Sequence, residues 1–129
     1  MKFILLLFSV FVSIDCFSQD VFSTKVILSN HGLALKNNDT IIGMGSRMLA
    51  ISLASNLYKL VETEFAVIVK RGKTNVLTKS GQGKEISLVD LGVYSKSGDM
   101  LYIEIKKLKT SNPGIVIKPS NNVFKIYLK

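Results

Sequence analysis

The residues able to do chemistry are few and far apart. His31 is the only histidine and Cys16 the only cysteine, so a zinc site would have to be assembled from carboxylates, against the nitrogen and sulfur preference of zinc. A Ser-His-Asp site lacks its G-x-S-x-G elbow, and His31 stands in Ser29-Asn30-His31-Gly32, which is turn chemistry. Glu62 and Glu64 are two apart and would share one face of a strand. Paired carboxylates support acid–base work, but at the start of a strand these two read as solvated. Gly43-Met-Gly45-Ser-Arg47 has neither the third glycine of a dinucleotide turn nor the Gly-Lys-Ser/Thr end of a P-loop, and reads as a loop. Gly72-Lys73-Thr74 has that end, but Val67 stands where the leading glycine belongs. No catalytic residue, no cofactor and no metal are expected, and the chain reads as a non-enzyme.

Charge is the remaining signal. Lys and Arg number 17 against 9 Asp and Glu, a formal net charge of +8. Two segments concentrate it: Lys70-Arg71-Gly72-Lys73 and Lys106-Lys107-Leu108-Lys109. If both are turns at the same end of the fold, Lys70, Arg71, Lys73, Lys106, Lys107 and Lys109 form one cationic patch. In an exported chain the partners of such a patch are acidic glycans, lipid head groups or an acidic protein surface, not nucleic acid. The plainer reading is a solvated lysine surface. Asn38-Asp39-Thr40 has the form of an N-glycosylation sequon, and Asp39-Thr40-Ile41 is similar to the O-glycosylation acceptor of some gliding bacteria, which makes Thr40 a candidate for modification.

Export is read from residues 1–18. Lys2 is followed by an apolar stretch from Phe3 to Ile14, roughly a dozen residues and too short to cross a ~30 Å hydrocarbon core. Cys16-Phe17-Ser18 places small residues for cleavage before Gln19. A buried N-terminal strand, an uncleaved anchor, or lipidation at Cys16 are the alternatives; Asp15 just before the cysteine disfavours the last. The domain at 19–129 then has no cysteine and no disulfide, which fits the bacterial periplasm or cell surface better than a small disulfide scaffold.

The elements that would position any site are strands. Leu101, Ile103 and Ile105 share one face, and Tyr102, Glu104 and Lys106 the other. In Val123–Lys129 the apolar face is Phe124, Ile126 and Leu128. A period of two with one wet face marks a half-buried antiparallel strand. Phe65, Val67 and Val69 mark a central strand, returned by a hairpin at Arg71–Asn75. Lys25–Leu28 reads as an edge strand, and Lys79–Lys84 as a flexible glycine-rich loop. Ile86–Val93 contains a further apolar segment. In Met48–Ser55, Leu49, Ile51 and Leu53 favour a strand, although the run also permits a helix. Ser111-Asn112-Pro113-Gly114 and Pro119-Ser120-Asn121-Asn122 read as turns, with Gly114 in the first and an asparagine in the second suited to positive φ. The sum is an all-β single domain, an antiparallel β-sandwich of about seven or eight short strands.

Three pieces in order carry a family resemblance: Phe65–Gly72 (FAVIVKRG), Ser97–Lys106 (SGDMLYIEIK) and Val123–Ile126 (VFKI). They resemble the C-terminal domain of GldM, the periplasmic protein of gliding motility and type IX secretion. The resemblance covers Leu57 to Lys129 and is weak over residues 20–56. It implies an immunoglobulin-like sandwich used for protein–protein contact in the bacterial envelope, without enzymatic activity. Family members carry a membrane anchor and further domains; here a leader precedes one domain, the pattern of a stand-alone relative. Thr110–Asn122 lacks the glycine-and-arginine loop of the family, so no binding loop is carried over.

Overall fold

Alternation along the chain decides which side chains meet. Successive residues of a strand point to opposite faces, and wherever every second residue is apolar the chain supplies one wall of a core. In the computed structural model, which describes residues 20–42 and 48–129, eleven strands form among the described residues and no helix. They are β1 (Asp20–Thr24), β2 (Val26–Asn30), β3 (Leu33–Ala34), β4 (Thr40–Ile41), β5 (Met48–Leu53), β6 (Leu60–Arg71), β7 (Thr74–Gln82), β8 (Glu85–Ser87), β9 (Met100–Thr110), β10 (Ile115–Pro119) and β11 (Val123–Leu128). Residues 1–19, which hold the expected leader and Cys16, and residues 43–47 lie outside the described residues.

A five-stranded sheet, β4-β11-β9-β6-β7, faces a four-stranded sheet, β3-β2-β5-β8. The five-stranded sheet contributes Phe65, Val67 and Val69, then Leu101, Ile103 and Ile105, then Phe124, Ile126 and Leu128. Val26, Leu28, Leu49, Ile51 and Ile86 answer from the other, and all are buried in one cluster. Each such side chain contributes about 1.5–3 kcal/mol of apolar burial. This is the expected all-β sandwich, with more strands than expected because the chain changes sheet often. Two pairings are parallel, β4 with β11 and β1 with β10. In both cases an early strand enters pointing the same way as a C-terminal one.

Several local expectations are corrected. β2 is not an edge; it lies between β3 and β5. The segment from Lys79 is not a loop, since β7 runs to Gln82. Its Gly81 leaves room for the buried ring of Phe65 opposite, whose tip would stand 2.7 Å from a Cβ there. Of the apolar segment after Ile86 only Glu85–Ser87 is strand. Leu88 and Leu91, three apart, turn back and plug the core at 0% exposure. Met48–Leu53 is a strand, and the His31-Gly32 turn has both φ values positive, at 51° and 80°, as a two-residue hairpin requires.

The two C-terminal turns differ from expectation. Positive φ occurs at neither Gly114 nor Asn121. The first turn closes by the Ile115 amide donating to the Asn112 carbonyl, with Asn112 Oδ1 accepting from the Gly114 amide. Asn121 instead serves as a side-chain substitute for a strand. The Val26 amide donates to its Oδ1 at 2.8 Å, and its Nδ2 donates to the Val26 carbonyl at 3.0 Å. β7 is the long free edge of its sheet. A register shift interrupts it near Val69 of β6, and Lys79 on its inward face bonds Asp90 at 3.1 Å.

Two predictions follow from these roles. Asn121→Asp faces the Val26 carbonyl with a second acceptor, and the urea midpoint should fall by the equivalent of about 1–3 kcal/mol; an unchanged midpoint would refute the bridging role. Deleting Val123–Lys129 removes the strand between β4 and β9 and bares the core, so the shortened chain should be insoluble. A soluble, cooperatively unfolding product would contradict this.

Candidate functional site

The five-stranded sheet turns one face away from the core. Register sets its rows. Tyr127, Met100 and Lys70 lie side by side, then Lys125, Tyr102 and Ile68, then Val123, Glu104 and Ala66. Each is the outward alternate of a strand whose other side chains are in the core. Lys125 and Tyr127 are exposed, Ala66 is buried, and the other six are half-buried. Tyr127 is 41% exposed. Lys70 Nζ sits 4.8 Å from the centre of the Tyr102 ring, a cation–π contact that fixes both groups at the middle of the face. Thr40, on short edge strand β4, is exposed and pairs with Tyr127. A modification there would border this face. The loop before it is tied to β11: the Lys125 amide donates to Asn37 Oδ1 at 2.9 Å and the Asn38 amide to the Lys125 carbonyl at 2.8 Å.

The two lysine segments are not brought together. β6 and β9 are antiparallel, so Lys70 lies opposite Met100 while Lys107 and Lys109 lie opposite Glu64 and Glu62. Six strand positions separate the groups, about 20 Å at ~3.3 Å per residue. Nor is the second segment a turn. It is the distal half of β9, where Lys106 is the extra residue of a bulge between Ile105 and Lys107. Lys109 Nζ is 3.9 Å from Glu62. The two glutamates are thus cross-strand partners of lysines, and opposite charges so placed are mutually stabilising. Beside Lys106, Lys107 and Lys109 runs a groove of about 510 Å³ floored by Leu108, Ile115 and Ile117. β11 stops short of it, and β10 lies across it without pairing to β9.

Arg71 is not a free cation. Its Nε donates to Asp99 Oδ1 at 2.9 Å and its Nη2 to Oδ2 at 2.8 Å, while Nη2 also reaches the Tyr94 carbonyl at 3.2 Å. The Lys96 amide donates to Oδ2 at 2.8 Å. Asp99 is 2% exposed. The hydrogen bonds from Arg71 hold its carboxyl below the usual carboxylate range, with the Lys96 amide adding to them and burial opposing. The same hydrogen bonds raise the Arg71 guanidinium. The pair spans 28 residues of sequence, and no local pattern announces it. Lys73 is exposed in the turn beyond Arg71, and His31 is exposed in its hairpin. Among the described residues no cluster of three or more His, Cys, Asp or Glu could hold a metal ion.

No family model, curated protein or solved structure matches the chain.

The Asp99 contacts make stability depend on pH with a definite sign. A carboxyl whose folded pKa is lowered stabilises the fold above its ordinary range, and that contribution disappears as pH falls through the lowered value. Asp99→Asn should therefore lower the unfolding midpoint at neutral pH, and its deficit against the parent should close in strong acid. Equal midpoints at neutral pH would dismiss the role assigned to the pair.

Proposed function

We propose that the chain is an exported, non-enzymatic interaction module of the bacterial cell envelope that binds a protein partner through the outward face of the five-stranded sheet. The observation that carries this reading is the outward-facing row structure of exposed Tyr127 and half-buried Met100, Tyr102 and Ile68, flanked by Lys70, Lys125 and Glu104. Aromatic and Met side chains that stand partly exposed on a regular sheet are already ordered before contact, and these residue types are enriched at protein interfaces.

The immunoglobulin-like reading belongs to the same proposal. Its support is the order of visits: β2, β5 and β8 lie in one sheet, β6, β7, β9 and β11 in the other, and β4 adds in parallel to β11. The GldM-like segments fall on β6, β9 and β11, three adjacent strands of this sheet. That links the proposal to gliding motility or type IX secretion, with residues 1–18 as the leader that sends the chain to the periplasm or cell surface. Binding to acidic glycans or lipids through one combined lysine patch, or action as a small inhibitor, is the weaker reading, because the lysine segments lie at opposite ends of β6.

Immobilised protein should retain a defined partner from envelope extracts over a range of salt. Ile68→Glu with Tyr127→Glu should weaken that binding about thirtyfold or more, as loss of central interface anchors does. Nothing retained above background, or equal retention by the variant, would count against the proposal.

A further inference from the structure

One end of the sandwich carries an arrangement that the sheet face does not use. Val93 is 82% exposed, the most exposed large apolar side chain among the described residues, and Tyr94 beside it is 56% exposed. These side chains are not on a loose loop. Leu88 and Leu91 anchor the segment in the core at 0% exposure. The Leu91 amide donates to the Leu88 carbonyl, and the Tyr94 and Ser95 amides donate to the Leu91 carbonyl, at 3.1–3.2 Å. Arg71 Nη2 holds the Tyr94 carbonyl from one side, and Lys79 holds Asp90 from the other. The turn is braced and keeps two apolar side chains in water.

Of the charges on this knuckle, the exposed carboxylate of Asp90 has Lys79 as its partner, and those without an ion-pair partner among the described residues are positive. Lys96 follows Tyr94 by two residues, and Lys73 lies in the turn that begins at Arg71. Both are exposed. The neighbouring carboxylates are already engaged: Asp99 is buried beneath Arg71, and Asp90 bonds Lys79. Neither Lys73 nor Lys96 takes part in an ion pair among the described residues.

We propose that Val93 and Tyr94, flanked by Lys73 and Lys96, form a tip that docks on an anionic lipid surface. Two side chains on a convex turn fall well short of the ~800 Å² per partner of a stable protein interface. A bilayer boundary takes such a tip without a matching pocket. Tyrosine settles at head-group depth, with its ring in the apolar layer and its hydroxyl outside, and each nearby lysine gains from anionic head groups by about fivefold in affinity. The tip and the protein-binding sheet face are separate surfaces, and either can hold without the other.

The chain has no tryptophan, so Tyr94→Trp introduces a single reporter. On vesicles one-third phosphatidylglycerol its emission should move to shorter wavelength, and the shift should shrink as salt screens charges beyond ~8 Å. Purely phosphatidylcholine vesicles should leave it unchanged. In sedimentation with the same anionic vesicles, Lys73→Gln with Lys96→Gln should lose roughly 25-fold in affinity, and Val93→Asp should not bind. Both positions are exposed, and an unchanged circular-dichroism spectrum verifies the fold; sedimentation of the unsubstituted protein gives the same answer if the tryptophan variant fails to fold. No association with anionic vesicles, an equal response on neutral ones, unaltered binding by the lysine variant, or binding to heparin without binding to vesicles would each overturn the proposal.

Discussion

The buried carboxylate of Asp99 is the contact on which one whole end of the molecule depends. It fastens the last residue of β6 through Arg71 and the turn at Lys96 through its amide, while its own backbone carbonyl accepts from Leu128 at the end of β11. A carboxylate taken out of water is costly unless every lone pair is used. Here the fork of Arg71 and the Lys96 amide occupy both oxygens. The guanidinium spends its remaining reach on the Tyr94 carbonyl, so the same pair that closes the core also sets the position of the 88–95 turn. The sandwich end is therefore held directly by this pair, through the Tyr94 carbonyl and the Lys96 amide.

Much of the sheet was legible from period alone. β9 and β11 appear in the sequence as clean alternations because each has one wet face, and Tyr102, Lys125 and Tyr127, assigned to that face, point outward from the sheet, whereas β6 is apolar on both faces at Phe65–Val69 and its outward Ala66 is buried. What period could not show was neighbourhood. Lys70 and Lys107 look alike along the chain, but antiparallel pairing of β6 with β9 sends them to opposite ends. Arg71 looked like one more surface cation because its partner lies 28 residues away. Gly81 has the composition of a loop around it, whereas its missing side chain makes space for Phe65 inside a strand. An asparagine in a turn suggests a backbone role, but that of Asn121 lies in its carboxamide, which pairs with the Val26 backbone.

The charge of +8 is accordingly better described as several small neighbourhoods than as one field. Lys106, Lys107 and Lys109 stand next to Glu62 and Glu64 across the strand pair. Lys70 is drawn onto Tyr102. Lys79 is committed to Asp90. Only where a lysine lacks such company, as at Lys73 and Lys96, does its charge point outward with full effect.

The free edge of β7 has a consequence for how copies of the molecule behave in a crowd. A long unpaired edge is a template on which a second chain could continue the sheet without limit. Here the ladder is broken by the register shift near Val69 and Val76, and a lysine sits on the inward side where an incoming strand would need an apolar residue. Fibril growth from this edge would have to strip Lys79 from Asp90 and bury its ammonium. Both features oppose open-ended growth of the sheet from this edge.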